Sequence, residues 1–140
     1  MEIIVNTLED MKDLANKLTK KIENGQVYLL KGDLGAGKTT LVKMISENLN
    51  VEEPAGSPTF ALVNIYNGDM KINHLDLYRL EFPEEIESFE YEDYFYPSDS
   101  VTFIEWPEKA ESYLPRDFIE ITIKNLQDNK RLVEIVGIDF

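Results

Sequence analysis

Gly32-Asp33-Leu34-Gly35-Ala36-Gly37-Lys38-Thr39-Thr40 satisfies the pattern G-x-x-x-x-G-K-[ST] in full. Each residue type has a physical reason to be there. Glycines let the backbone curl until successive N–H groups point inward at an anion. A helix opening near Lys38 adds its positive end to the same place. Lys38 offers a point charge for the β- and γ-phosphates of a nucleotide, and the Thr39 hydroxyl is an oxygen ligand for Mg²⁺. Thr40 and the amides of Gly35, Ala36 and Gly37 would line the α/β-phosphate region. At ordinary residue frequencies such a match arises by accident in roughly one chain in 200 of this length. Its setting cuts that further, because a buried-strand pattern precedes it and a helix pattern follows.

Upstream, Val27-Tyr28-Leu29-Leu30 is a near-continuous apolar run, as expected of a strand covered on both faces. Before it, Thr7 fits a helix N-cap with Asp10 three residues on, and Leu8, Met11, Leu14, Ala15, Leu18 and Ile22 recur at helical spacing up to Gly25. Ile3-Ile4-Val5 reads as a short strand. Downstream, residues 39–49 read as a helix, 60–66 as a strand, Asn67-Gly68-Asp69 as a turn and 71–77 as the antiparallel return. Short surface helices fit the acidic stretch 83–96, and Val101-Thr102-Phe103-Ile104 is a further buried strand. Strands over 118–124 and 131–138 are joined by the polar turn Gln127-Asp128-Asn129-Lys130. Strands and helices alternate early and strands dominate late. The expected architecture is a single α/β domain over 1–140, a P-loop NTPase-like three-layer fold whose central sheet mixes parallel and antiparallel strands.

A phosphate loop of this kind needs an acid at the end of a neighbouring strand to hold Mg²⁺ or its water, and open α/β sheets gather ligands at the carboxyl ends of their strands. Glu105 closes the run 101–105 and is the first candidate; a solvated strand-end acid is the bland alternative. Asp76 is the second, placed to orient an attacking water or order the magnesium shell. Strand alternation puts His74, Asp76 and Tyr78 on one face and Leu75 and Leu77 on the other. A lone His next to an Asp is more often a local hydrogen-bonded pair, so His74 carries little functional weight at this level. Trp106, the only tryptophan, reads equally as a packed aromatic or a site residue. Thr59, in Ser57-Pro58-Thr59, follows the loop's helix where GTPases keep a γ-phosphate-sensing threonine.

Composition narrows the partners. The 140 residues carry 27 Asp and Glu against 14 Lys and Arg, a formal net charge of −13. Proteins that grip nucleic acid unaided usually present a basic patch, and nothing larger than Lys20-Lys21 or Lys130-Arg131 exists here. Direct, unaided binding of tRNA or DNA is therefore not expected, and a basic protein partner suits the charge better. The band 83–96, with Glu84, Glu85, Glu87, Glu90, Glu92 and Asp93, reads either as a docking face or as a solvated surface. The chain has no cysteine, which excludes disulfides and thiolate chemistry. No signal peptide or membrane span is visible, so the expected address is the cytoplasm.

The segments 32–40, Ser57-Pro58-Thr59-Phe60, His74-Leu75-Asp76-Leu77-Tyr78-Arg79-Leu80 and Ile104-Glu105-Trp106-Pro107, in this order and spacing, resemble the TsaE (YjeE) family. That family is the ATPase component of bacterial tRNA threonylcarbamoyladenosine (t6A) synthesis. The resemblance implies ATP and Mg²⁺ as cofactors and the TsaD and TsaB proteins as partners, with those partners carrying out carbamoyl transfer to an adenosine beside the anticodon. It maps the magnesium ligands onto Thr39 and Glu105, the switch-like threonine onto Thr59, the aspartate onto Asp76 and the tryptophan onto Trp106. It further implies nucleoside-side contacts from near Thr7 and from Lys130 or Arg131. One departure is visible: Glu90 stands where the family commonly has glycine, ahead of Tyr91-Glu92-Asp93-Tyr94.

Other readings remain at this level. A small kinase needs an arginine-bearing lid, and the arginines are only Arg79, Arg116 and Arg131. A GTPase needs N-K-x-D, and Asn129-Lys130-Arg131-Leu132 lacks the aspartate. A nucleotide-gated binding module, in which turnover is incidental, fits the same loop.

Overall fold

The structure is a computed structural model that describes residues 1–52 and 62–140. Strands β1 (Glu2–Val5), β2 (Val27–Lys31), β3 (Val63–Asn67), β4 (Lys71–Asp76), β5 (Val101–Glu105), β6 (Ile119–Asn125) and β7 (Arg131–Val136) form one sheet in the order β1-β7-β6-β2-β5-β4-β3. The four central strands, β6, β2, β5 and β4, run parallel, and β3, β7 and β1 are added antiparallel at the two edges. The mixed direction expected from the sequence is thus what the chain adopts. Short turns close the β3–β4 and β6–β7 hairpins, whereas the parallel pairings need crossovers.

Alternation along the central strands divides the core. Tyr28 and Leu30 of β2, Phe103 of β5 and Ile121 of β6 pack with Leu14, Leu18, Leu41 and Ile45. Those last four belong to α1 (Leu8–Thr19) and α2 (Lys38–Asn48). On the other face, Leu29, Ile104, Leu75 and Leu77 pack with Ile86, Phe95 and Ala110. That layer is made of 3-10 turns at Pro83–Ser88 and Pro107–Tyr113 and the one-turn α3 (Glu92–Phe95). Three layers result, with the two full helices on one side only. No helix among the described residues is long and apolar enough to cross a membrane.

Several boundaries shift from the sequence-based expectation. α1 ends at Thr19 rather than at Gly25, because Lys21 N–H bonds back to the Leu18 carbonyl and tightens the last turn. Gly25, at φ +94°, instead turns the chain into β2 and donates to the Ser100 carbonyl at 2.8 Å. Thr7 does cap α1, its Oγ1 accepting from Asp10 N–H at 3.1 Å, but the Asp10 carboxylate accepts from Asn6 N–H instead of completing the box on Thr7. Residue Glu90 has no positive φ and is exposed. Nothing in that turn requires glycine.

Candidate functional site

The loop between β2 and α2 is built on backbone that only glycine adopts without strain. Gly32 has φ +147°, and a Cβ there would stand 2.5 Å from the Ile123 carbonyl oxygen of β6. Gly37 caps α2 at φ +113°. Gly35 is different: at φ +77° a Cβ would meet no atom within 4 Å. The backbone there borders open space, which is what a chain that must approach a ligand closely requires. Lys38, Thr39 and Thr40, the first residues of α2, line the cavities beside it, and no acidic side chain stands in that turn.

Two cavities meet at this loop. One, of about 260 Å³, is lined by the loop, Lys38, Thr39, Asp76, Glu105 and Trp106. The other, of about 320 Å³, shares Gly35, Ala36, Gly37 and Thr40 with the first and continues past Thr7, Met11, Asn129 and Arg131. Thr7 and Arg131, far apart in sequence, are thereby brought to one pocket. Lys130 is exposed and lines neither cavity. The Arg131 guanidinium donates from Nε to the Ala36 carbonyl at 3.0 Å and from a terminal nitrogen to the Asn129 carbonyl at 3.2 Å. It therefore clips the start of β7 to the loop. Thr59 lies outside the described residues.

Lys38 is buried, and its Nζ donates to the Gly32 carbonyl at 2.5 Å while lying 3.7 Å from the centroid of the Trp106 ring. Burial pushes its ammonium below the usual lysine range; the carboxylates of Glu105, Glu108, Asp76 and Asp33 oppose that. Trp106 follows Glu105 in a left-handed conformation at φ 58°, uncommon for a bulky side chain, and its ring packs tilted against Tyr78 with centroids 5.0 Å apart. Asp76 and Glu105 end neighbouring parallel strands in register. Asp76 accepts from Tyr78 N–H at 3.1 Å, and burial raises its carboxyl above the usual value of 3.8, with that backbone bond pulling the other way and the Glu105 charge adding to the rise.

Glu105 is 3% exposed. The Thr39 hydroxyl lies 3.0 Å from both of its carboxylate oxygens. From the opposite side, His74 Nε2 stands 2.6 Å from Glu105 Oε2, and His74 Nδ1 is 3.3 Å from the Tyr66 hydroxyl. The expected local pairing of His74 with Asp76 is therefore replaced by a cross-strand one. Strand alternation alone places His74 on the face of Asp76. That β5 lies beside β4 is a matter of sheet order, which no local pattern supplies.

A hydroxyl and a carboxylate side by side, next to a buried ammonium and the N-terminus of α2, could hold a polyphosphate together with a hard cation. Among the described residues no cluster of three or more His, Cys, Asp or Glu could hold a metal by itself. Magnesium ordinarily takes one or two protein oxygens and completes its shell with phosphate and water, so Thr39 and Glu105 suit that group.

Comparison with known proteins gives the family. The profile described as "Threonylcarbamoyl adenosine biosynthesis protein TsaE" matches residues 5–133. A Nostoc protein named tRNA threonylcarbamoyladenosine biosynthesis protein TsaE is 38% identical, with 96% of this chain and 84% of the relative covered. Its namesake from Aquifex aeolicus is 37% identical over 96% and 94%, and that from Bacillus subtilis 34% over 93% and 81%. The crystal structure of Bacillus subtilis YdiB superposes with a TM-score of 0.81 at 29% identity, over 95% of this chain and 82% of that one. With the match running from the end of β1 into β7, and so through every element that shapes the two cavities, the chain belongs to the TsaE family of tRNA t6A biosynthesis.

Proposed function

We propose that this protein binds ATP with Mg²⁺ across the two cavities and hydrolyses it in t6A modification, acting with TsaD and TsaB and touching tRNA only through them. The observation that carries the reading is the convergence of Lys38, Thr39, Glu105 and Asp76 on one cavity at the start of α2. The loop amides and Lys38 hold the β- and γ-phosphates; Thr39 and Glu105 hold Mg²⁺, which supplies charge neutralisation at the transferring phosphate. Asp76 orients water, and the pocket beside Thr7 and Arg131 takes the nucleoside.

Charge supports activation by a partner. Among the described residues lining the phosphate-side cavity, Lys38 is the single cation against the carboxylates of Asp76 and Glu105. Arg131 is engaged by the Ala36 carbonyl. Phosphoryl transfer in such sites stays slow until further positive charge or ordering arrives. The exposed acidic side chains Glu84, Glu85, Glu87, Glu90, Glu92 and Asp93 give a basic partner face somewhere to dock. The test is phosphate release from Mg-ATP by the chain alone and with purified TsaD and TsaB. A many-fold rise with no phosphorylated acceptor is expected; a phosphorylated nucleoside or protein would move the assignment to a kinase.

A further inference from the structure

We infer that His74 is a positioning residue for the magnesium-binding carboxylate: it fixes Glu105 so that the carboxylate stays turned toward Thr39 and the cation. The inference rests on the Mg-nucleotide reading of the site. Its basis is a chain of contacts running from the sheet edge into the cavity. Tyr66 of β3 stands against His74 of β4, His74 against Glu105 of β5, and Glu105 against Thr39 of α2. His74 is fully buried, and Glu105 nearly so.

A carboxylate only accepts hydrogen bonds, so the nitrogen 2.6 Å from Glu105 Oε2 carries the proton. In the neutral ring Nδ1 is then the acceptor, and the Tyr66 hydroxyl 3.3 Å away is placed to donate to it. Both ring nitrogens are thus specified by neighbours, and so are the ring's tilt and the direction of its N–H. Glu105 ends β5, where the chain leaves the sheet for the left-handed Trp106. A glutamate at a strand end has three side-chain torsions to lose, and from α2 the short Thr39 hydroxyl reaches only the tip of the side chain. The bond from inside the sheet removes that freedom before any cation arrives. Hydrogen bonds to ligating groups of this kind are worth roughly 10–100-fold in metal affinity.

The test separates this role from the filling of core volume. Binding of a non-hydrolysable ATP analogue is titrated calorimetrically over a series of Mg²⁺ concentrations and also in EDTA, for the wild-type chain, His74→Leu and His74→Gln. Glutamine keeps an amide N–H at about the reach of Nε2; leucine keeps volume without a donor. Expected is an affinity in EDTA within about twofold of wild type for both variants. The Mg²⁺ midpoint is expected to rise roughly 10–100-fold in His74→Leu and to return to within a few-fold of wild type in His74→Gln. An unchanged midpoint in His74→Leu, or equal loss in both variants, overturns the role. If His74→Leu does not fold, His74→Asn takes its place, its shorter amide stopping short of Oε2; a raised midpoint then supports the role and an unchanged one overturns it. Failure of the wild-type chain to bind the analogue in either condition would instead remove the nucleotide reading itself.

Discussion

The Lys38 ammonium lies 3.7 Å from the centroid of the Trp106 indole, so the one cationic side chain of the loop rests against the chain's only tryptophan. Cation–π attraction of this kind is worth roughly 0.5–2 kcal/mol, and it offsets part of the cost of burying the ammonium. A polyphosphate bound as proposed would compete for the same nitrogen. Tryptophan emission should therefore change on addition of a Mg-ATP analogue, saturating with the binding isotherm. Lys38→Ala should abolish both the emission change and the heat of binding. An isotherm without an emission change would show that Lys38 and Trp106 do not part.

Glycines 32 and 35 sit three residues apart in one loop but should fail differently. An alanine Cβ at position 32 meets the Ile123 carbonyl at 2.5 Å, which is backbone and cannot swing aside. Gly32→Ala should lower the melting temperature, with a cost of about 2–5 kcal/mol when left-handed strain and overpacking are combined. Gly35→Ala carries only the backbone penalty, about 1–2 kcal/mol, since its Cβ enters open space. Its larger effect should be on nucleotide affinity, because in the proposed complex the phosphates lie in that space. Calorimetry and thermal melts on both variants check the contrast, and equal melting temperatures would contradict it.

Much of this site is legible in the chain alone, and the part that is not has a physical cause. The loop motif is local: its glycines, lysine and threonine act within nine consecutive residues, so their spacing is the information. Glu105 is also legible, because a buried apolar run ending in an acid marks a strand's carboxyl end. His74 is legible only as a residue on the face of Asp76. Its partner depends on sheet order, and β4 lies beside β5 through a crossover that sequence periodicity does not encode. Lys130 and Arg131 show the same limit at the hairpin. They are adjacent and alike in charge, yet only one turns toward the loop.

That difference gives a paired prediction. Arg131 holds the Ala36 carbonyl at 3.0 Å and the Asn129 carbonyl at 3.2 Å, whereas Lys130 is exposed. Hydrogen bonds from charged donors contribute about 1.5–3 kcal/mol. Arg131→Ala should weaken nucleotide binding roughly tenfold or more, through a loosened loop and the loss of a cavity wall. Arg131→Lys should not restore it, since an ammonium cannot span two carbonyls as the planar fork does. Lys130→Ala should bind as the wild-type chain does. Equal losses in the Lys130 and Arg131 variants would place the effect in general charge rather than in the clip.

Asp76 gives a test in which stability and activity move in opposite directions. Burial, its largest influence, raises its carboxyl above 3.8. The folded chain thus binds this proton more tightly than the unfolded chain does. Its contribution to stability is fully present below the unfolded value of 3.8, is lost as pH rises through the higher folded value, and leaves a constant penalty at neutral pH. Asp76→Asn keeps a carbonyl oxygen for the Tyr78 N–H, bonded at 3.1 Å in the native chain, and removes the charge. The variant should melt higher than wild type at pH 7, and the gap should shrink as pH falls toward 3.8. Partner-stimulated hydrolysis should drop by roughly 10²–10⁴ if the carboxylate takes part in moving a proton from water, with nucleotide affinity nearly retained. A variant that melts lower at pH 7 while hydrolysing at the native rate would leave Asp76 as a structural carboxylate, and the attacking water would need another partner at the end of β4.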